Sequence, residues 1–334
     1  MSTTYSPNAH GSRTEDVAPL SVKAKFRLFR QSTVFYPLVG LIVVSLVMVF
    51  ASDSFLSYSN LSNIARQISV IGIIAVGMTF AILTGGIDLS VGAVMALSGT
   101  VAAGLMVKGV DAPFALLVGV SIALVFGMCN GALVAFARMP PIIVTLATMG
   151  IARGLALMYT SGYPINGLPA WVKFFGSGSV FGVQAPIIIM LVVYLFAWVL
   201  LERTAFGRYV YAIGGNEQAA RLSGVRVSVY KMLVYTVGGL TVGIAGIVIT
   251  SRLMSGQPNA GVGFEMDAIA AVVMGGTSIA GGRGSVIGTL LGALLLGVLN
   301  NGLNMMGMDP YVQNVIKGGI ILLAIYIGRE RGKY

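Results

Sequence analysis

Long apolar segments constrain the fold of this chain more than any other feature. A helix needs about 20 residues to cross the roughly 30 Å hydrocarbon core of a bilayer. Ten segments reach or approach that length, and they are residues 34–51, 63–85, 89–108, 113–137, 141–160, 186–201, 231–251, 265–280, 285–305 and 310–328. The sequence therefore predicts an all-α, polytopic integral membrane protein with about ten transmembrane helices. Segment 265–280 is short and the pair that flanks Asp88 is interrupted, which favours broken or re-entrant helices there.

The composition agrees with a membrane protein. Charged residues make up 10% of the 334 residues, whereas soluble domains carry about 25%. This difference excludes an ordinary soluble globule, a disordered protein and a nucleic-acid-binding module, and it makes membrane lipid an expected partner. The net charge of +10 fits as well, because membrane proteins accumulate Lys and Arg in their cytoplasmic loops.

The distribution of Lys and Arg predicts the orientation of the chain. With a cytoplasmic N-terminus and ten crossings, most basic residues lie inside, as the positive-inside rule requires. The exceptions in outer segments are Arg66, Lys108, Lys173 and Arg252. The predicted organisation is a basic cytoplasmic tail (1–33), a transmembrane domain (34–328) with a cytoplasmic loop (202–230), and a cytoplasmic C-terminal tail (329–334).

Several kinds of chemistry are excluded by the residues that the chain lacks. Its one histidine, His10, lies in the polar tail, so a histidine-based metal cluster or catalytic triad cannot be built. Its one cysteine, Cys129, cannot form an intramolecular disulfide and is expected to be a small buried residue. The pattern G-x-x-x-x-G-K-[ST] does not occur, so an intrinsic NTPase is not expected.

Loop 202–230 carries the clearest local signals. Gly214-Gly215 interrupts the chain, Asn216 is a good helix N-cap, and Glu217 is a favourable acid in a first turn. A short helix is therefore predicted, and Gly224 can end it in the left-handed conformation. Its small or apolar face is expected to consist of Ala219, Ala220 and Leu222. The helix either contacts a partner or shields the bundle as a capped surface helix.

Asp88 is a second candidate functional residue, because an acid inside or beside the hydrocarbon is costly. It is either a functional site for protons or ions, or an N-cap that accepts from free backbone N–H groups of the next helix. The cap is favoured, because no second membrane acid is placed to form a relay. The stretch 274–288 shows a similar Gly-Gly turn between apolar helices.

Amide and hydroxyl side chains inside the predicted spans form a third group. They are Asn130, Thr145, Thr148, Asn300 and Asn304. Such groups suit a neutral polyol in a translocation path, because they donate and accept hydrogen bonds without charge. The alternative is that they join helices to one another. Glycine pairs with G-x-x-x-G spacing, such as Gly127 with Gly131, are expected to pack helices within one subunit.

Five separated motifs can be considered together. They are LTGGIDLSVGAVMALSG, PPIIVTLATMGIARGLALMYTSG, RTAFGRYVYAIGGNEQAARLSGV, SGQPNAGVGFEMDAIAAVVMGGTSIAGGRGSVIGTLLGALLLGVLNNGLNMMG and PYVQNVIKGGIILLAI. They closely resemble the permease subunits of bacterial sugar ABC importers, in the ribose, arabinose, galactose and xylose group. The resemblance extends in order over roughly residues 60–328.

The resemblance implies a permease in the bacterial plasma (inner) membrane that forms the path for a pentose or hexose. It implies three partners: a separate ATPase with two nucleotide-binding halves, an external sugar-binding protein, and a second permease copy, identical or related. ATP hydrolysis would belong to the ATPase, so the chain is expected not to be an enzyme, and no cofactor is implied.

The resemblance also implies roles for particular residues. The positions that match the ATPase-coupling segment are Gly215, Asn216, Glu217, Ala220, Arg221 and Gly224. The outer residues that are expected to pair with acids of the docked binding protein are Arg66, Lys173 and Arg252. The resemblance further implies an inverted repeat, whereas the crossing count places both Gly-Gly turns, the one before Asp88 and the one in 274–288, on the same side.

Two other classes of transporter compete with this interpretation. A related ABC permease for a branched-chain amino acid or a furanose signal would share the fold. An ion-coupled secondary sugar transporter would need membrane acids for coupling, and Asp88 is the acid that the sequence interpretation places there. A membrane enzyme would need a convergent catalytic group, which the sequence does not offer.

Overall fold

A computed structural model describes residues 34–329. The predictions for the basic tail 1–33, for His10 and for residues 330–334 lie outside these described residues.

The described part of the chain is almost entirely helical. The helices are α1 (Phe35–Ala51), α2 (Tyr58–Leu83), α3 (Val91–Val107), α4 (Ala112–Ala135), α5 (Pro141–Thr160), α6 (Phe174–Ser177), α7 (Ala185–Arg203), α8 (Ala205–Gly215), α9 (Glu217–Leu222), α10 (Val227–Leu253), α11 (Phe264–Met274), α12 (Val286–Met305) and α13 (Pro310–Arg329), with a 3₁₀ turn at Ala170–Lys173. The strands are β1 (Ile165–Asn166), β2 (Ser179–Val180), β3 (Val183–Gln184) and β4 (Ser255–Gly256). They form two antiparallel pairs, with Ile165 opposite Gly256 and Val180 opposite Val183.

Helix lengths agree with most of the predicted crossings. Within residues 34–329, six helices are long and apolar enough to cross a membrane, namely α2, α4, α5, α7, α10 and α12. Helices α1 and α3 are apolar but shorter. The chain is therefore a polytopic helical membrane protein.

The predicted span 265–280 differs from the structure. Its helix, α11, has 11 residues and ends at Met274, so it is about 16 Å long at 1.5 Å per residue. Gly276, with φ +86°, follows the helix end, and this left-handed conformation favours glycine. Because α11 covers about half of the hydrocarbon thickness, it is a half-helix rather than a full crossing.

Helix α2 lies at the centre of the bundle and is buried from Ile68 to Leu83 except at Ile71. Glycines let neighbouring backbones approach one another. Gly127 and Gly131 of α4 pack directly on α10, where Gly239 faces Gly127. The prediction that the G-x-x-x-G pairs pack helices within one subunit is confirmed for this pair. Cys129 lies on the opposite side of α4 and is exposed, so the expectation that it is buried is wrong.

The two ends of the bundle carry different structures. At one end, here called the hairpin end, residues 161–184 form the β2–β3 hairpin and the β1 strand that pairs with β4. At the other, here called the loop end, α8 and α9 precede α10. Both Gly-Gly turns lie at the loop end, because the Gly282 N–H donates to the Leu83 carbonyl at 2.9 Å. The crossing count had placed the two turns on the same side, and the structure agrees.

The contact between α4 and α10 predicts opposite effects for two alanine substitutions. In Gly127→Ala, the new Cβ would overlap the Tyr235 carbonyl and lie 2.8 Å from Gly239 Cα. Overpacking of this kind costs about 1–3 kcal/mol, so we expect a lower melting temperature in detergent. In the control Gly319→Ala of α13, no atom lies within 4 Å of the new Cβ, and helix propensity favours alanine by up to about 1 kcal/mol. An unchanged or higher melting temperature for Gly127→Ala would contradict this packing.

Candidate functional site

Helix α9 at the loop end is closed at both ends by the residues that the sequence indicated. The Asn216 side chain accepts a hydrogen bond from the Ala219 N–H at 2.9 Å, which is an N-cap. At the other end, Gly224 has φ +85°, and the Val225 N–H donates to the Ala220 carbonyl at 3.1 Å. This is the arrangement of a Schellman motif. The short helix is therefore held by its own caps.

Glu217 fixes α9 to α10. Its carboxylate accepts from Lys231 at 2.5 Å and from Arg221 at 2.9 Å. The hydrogen bond from Lys231, with the charges of Lys231 and Arg221, lowers the pKa of the Glu217 carboxyl despite partial burial. Glu217 is thus ionised at neutral pH and makes its ion pairs within the chain.

The predicted face of α9 is only partly correct. Ala220 is 6% exposed and packs with Ile213 and Val227 inside the loop. Ala219 and Leu222 point the other way, because residues three apart share a helix face whereas their neighbour does not. Leu222 is 84% exposed. The outward surface of α9 therefore includes Ala219 and Leu222, and Ala220 lies beneath it.

The loop is joined directly to the two glycine turns. A Cβ at Gly214, near the end of α8, would overlap the Leu83 carbonyl and the Gly282 backbone. Tyr211 of the same helix donates to the Gly284 carbonyl at 2.9 Å. We call this meeting of α8 with the turns after α2 and α11 the glycine junction. The backbone of Gly214 thus lies directly against both turns, and the Tyr211 side chain adds a hydrogen bond to the second.

Asp88 belongs to a connected buried network. Its carboxylate accepts from the Ser90 N–H at 2.9 Å and from the Ser90 hydroxyl at 2.6 Å. The Asn130 amide donates to the Ser90 Oγ at 3.0 Å, and the Thr148 hydroxyl donates to the Asn130 Oδ1 at 2.6 Å. Thr145 donates to the Ile87 carbonyl at 3.1 Å. The structure thus brings together four of the predicted residues: Asp88, Asn130, Thr145 and Thr148.

The hydrogen bonds from Ser90 to Asp88 form a turn before α3 and not a helix N-cap. The N-cap residue of α3 is Ser90, whose side chain makes no capping hydrogen bond, and the Asp88 carboxylate accepts from the Ser90 N–H, two residues further along the chain. The prediction that Asp88 caps the next helix is therefore wrong, because Asp88 instead stabilises the turn that leads into it. The Ser90 hydroxyl and the Asn130 amide join this turn to α4 and α5. The network therefore stabilises the break between α2 and α3.

Asn300 and Asn304 do not join this network. They lie in the last turns of α12 toward the hairpin end, where Gln313 donates to the Asn304 Oδ1 at 2.8 Å. The neighbouring Asn301 forms a reciprocal amide pair with Asn60, at 3.0 and 2.8 Å. These contacts join α12 to α13 and α2. The Asn300 Oδ1 is buried and has no hydrogen-bond partner within the described residues.

Basic residues near the hairpin end form a second candidate surface. Arg66 donates to the Asn63 side chain and is close enough to Arg252 for the two charges to repel. Gly176 of α6 packs against the Arg252 backbone, which brings the exposed Lys173, three residues before it, to the same end. Within residues 34–329, none of these three cations forms an ion pair, so their charge is available to an acidic partner.

Two pairs of opposite charges inside the bundle were not singled out from the sequence. Arg153 of α5 donates to the carbonyls of Pro258 and Ala260, the latter at 3.1 Å, and interacts electrostatically with Glu265. Lys317 of α13 pairs with Asp267 of α11 at 3.4 Å. The expectation that Asp88 is the one acid of the membrane region is therefore wrong. The signal was present, because Arg153 and Lys317 are cations within predicted spans.

Comparison with known proteins identifies the relatives of this chain. The family model described as "Branched-chain amino acid transport system / permease component" matches residues 60–325. The ribose import permease protein RbsC of Bacillus subtilis is 49% identical over 88% of this chain and 92% of its own length. RbsC of Escherichia coli K12 is 46% identical (88% and 93%), and the D-allose transport system permease protein AlsC of the same strain is 41% identical (86% and 89%). No solved structure matches the chain.

The network predicts that Asp88→Asn is tolerated far better than Asp88→Leu. Asparagine keeps an acceptor oxygen for the Ser90 N–H, whereas leucine leaves two buried donors of Ser90 without a partner. An unsatisfied buried donor costs about 1–3 kcal/mol, so Asp88→Leu should unfold at lower temperature in detergent and transport less. An equal loss in both variants would instead favour a role that depends on the charge.

Proposed function

Because the chain belongs to the family of branched-chain amino acid transport system permease components, we propose that it is the membrane-spanning subunit of an ATP-driven, binding-protein-dependent importer of a monosaccharide. The observation that carries this proposal is the 41–49% identity to ribose and D-allose permeases over most of the chain. A xylose transport system permease protein, XylH of Escherichia coli, is 36% identical. These relatives support a pentose or hexose as the proposed substrate, and ribose is the first sugar to test.

The proposed location is the inner membrane of a bacterium, with the loop end in the cytoplasm. This orientation is supported by the basic residues of the loop between α7 and α10, as the positive-inside rule requires. It places both termini in the cytoplasm and the β2–β3 hairpin outside.

Helix α9 is the proposed contact with the ATPase. It is short, capped, and projects Ala219 and the 84%-exposed Leu222 away from the bundle. The coupling positions expected from the family are Gly215, Asn216, Glu217, Ala220, Arg221 and Gly224. In this proposal the coupling positions have two roles. The shape of α9 depends on Asn216, Glu217, Ala220 and Gly224, and its exposed side chains contact the ATPase.

The glycine junction is proposed to transmit the movement of α9 to the membrane helices. When ATP closes the ATPase dimer, α9 moves and α8 moves with it. Because Gly214 lies directly on the turns after α2 and α11, that movement tilts both turns and the helices that they connect. The bundle then changes between outward and inward access.

The path itself is proposed to lie between this chain and a second permease copy, identical or related. Asp88, Asn130, Thr145 and Thr148 are the residues proposed near its inner half, and Asn300 and Asn304 near its outer half. At the outer face, Arg66, Lys173 and Arg252 are proposed to pair with acidic residues of the binding protein. Tight sugar binding would belong to that protein, so the path needs only weakly polar walls.

Reconstitution in proteoliposomes tests the proposed function. The chain alone should give no concentrative uptake of radiolabelled ribose, even with a proton or sodium gradient. Addition of the partner ATPase, the binding protein and ATP should produce uptake. Gradient-driven uptake by the chain alone would instead establish a secondary transporter. If the binding protein retains an amino acid or a furanose signal rather than a sugar, the alternative ABC permease is correct.

The ATPase contact predicts a selective defect for Leu222→Glu. The side chain contacts little of its own chain, so the variant should reach the membrane and keep its melting temperature. A carboxylate at the centre of an apolar contact should reduce co-purification of the ATPase by about tenfold or more, as for the loss of a buried interface anchor. The control Val183→Glu introduces the same charge at the opposite end, and co-purification should be unchanged. Full ATPase binding by Leu222→Glu would remove α9 as the contact.

A further inference from the structure

The chain between α10 and α11 returns into the bundle instead of staying at its surface. Residues 254–263 are here called the return segment. Its Gly256 packs on Thr100 and Ala103 near the hairpin end of α3, and its Gly261 packs on Gly92 at the other end of α3. Eight helical residues separate Gly92 from Thr100, which is about 12 Å along the helix axis. Gly261 therefore lies that much deeper in the bundle than Gly256.

The depth of Gly261 in the membrane follows from its position relative to helix α10. It has 27 residues, or about 40 Å, and therefore crosses the whole bilayer. Gly246 of α10 faces Ser98 of α3, and Gly92 lies six residues further toward the loop end. Gly92 is thus level with the middle of α10, so that Gly261 and the start of α11 lie near the centre of the membrane.

Non-helical backbone at this depth cannot face lipid. Its N–H and C=O groups need partners, so such segments occur only where protein covers them or where they line a water-filled cavity. The return segment is not fully covered by its own chain, since Asn259 is exposed and Val262 is 69% exposed. Its uncovered side therefore meets either another protein surface or an aqueous space, and the labelling experiment below distinguishes the two.

Arg153 holds the return segment from α5. Its guanidinium donates to the carbonyls of both Pro258 and Ala260. Two neighbouring positions, Gly261 and Gly263, have φ of +72° and +85°, and this conformation favours glycine and lets the chain turn into α11. The side chain of Glu265, in the first turn of α11, adds the opposite charge beside Arg153. One guanidinium group thus provides hydrogen bonds for two carbonyls that lie outside any helix.

We propose that Arg153 is a positioning residue of the translocation path, which holds the return segment as the movable wall of the path at the centre of the membrane. The proposal rests on the proposed function for the identity of the solute, since the path is taken to carry a monosaccharide. The wall presents peptide groups and Asn259, which suit a neutral polyol. Release of Arg153 from the two carbonyls frees residues 257–260, between Gly256 and Gly261, to move.

Cysteine labelling tests the water-filled space first. The single native cysteine is removed with Cys129→Ala, and Val262→Cys is introduced in the full transporter in right-side-out vesicles. A membrane-impermeant maleimide should label Val262→Cys. It should not label the control Leu195→Cys, which is 61% exposed near the middle of α7 and which we expect to face lipid. Equal labelling of the two positions would overturn the proposal.

The role of Arg153 is tested in the same background. Arg153→Gln should raise the labelling rate of Val262→Cys about tenfold, as expected from losing hydrogen bonds to a charged group, and should lower ribose uptake. The control Arg138→Gln, before the start of α5, should change neither. Arg153→Lys keeps the charge but not the planar fork, so its labelling rate should fall between those of wild type and Arg153→Gln. An unchanged rate in Arg153→Gln would overturn the proposal.

The outcomes separate this proposal from the proposed function. If Arg153→Gln does not reach the membrane, Arg153→Lys decides, and a rate equal to that of wild type overturns the role of Arg153. The labelling measurement needs no solute. If labelling is as expected but the complete wild-type system takes up no ribose, the proposed function is wrong and the role of Arg153 stands. Normal uptake with unchanged labelling in Arg153→Gln removes the role of Arg153 alone.

Discussion

The need to pair every backbone N–H and C=O group in hydrocarbon governs this structure. Helices satisfy the need internally, and three of the interruptions within residues 34–329 have identified partners: those before α3, between α10 and α11, and after α11. Each departure has its own partners. Before α3, the Asp88 carboxylate accepts from the Ser90 N–H. Between α10 and α11, Arg153 donates to the Ala260 carbonyl. After α11, the Gly282 N–H donates to the Leu83 carbonyl. Polar and charged side chains inside the bundle are therefore concentrated where the helices are interrupted.

Glycine determines how closely these interrupted segments approach the helices around them. Because they lack a Cβ, Gly92 packs against the return segment and Gly127 packs against the backbone of Gly239. Gly214 packs against two turns at once. Backbone contacts of this kind transmit displacement well, because no flexible side chain lies between the moving parts. The same chemistry that packs the bundle thus connects the loop end to the centre of the membrane.

Sequence reasoning predicted the parts of this fold that depend on local chemistry. The apolar runs located the helices, and the side chain of Asn216 and the conformation of Gly224 define the ends of α9 as predicted. Errors arose where tertiary packing decides. The orientation of Ala220 depends on Ile213 and Val227, and the position of Asn304 depends on Gln313 of the next helix. The return segment left no periodic signal, because a non-helical stretch at membrane depth resembles a surface loop in sequence. Arg153 was visible as a charge in a span, but its partners are carbonyls, which every residue possesses.

Helix α5 connects the interrupted segments on its two sides. Thr145 donates to the Ile87 carbonyl and Thr148 to Asn130, whereas Arg153 donates to Pro258 and Ala260. These donors lie within about two and a half turns of one helix, so they move together. A hydrogen bond of 2.6–3.1 Å weakens steeply when its donor shifts by about 1 Å. A shift of α5 along its axis would therefore strain the contacts to both segments at once. Intermediate positions would lose several hydrogen bonds in a low dielectric without replacing them, which favours two discrete arrangements of α5 over a continuum. The proposed alternation between outward and inward access would require such a two-state element.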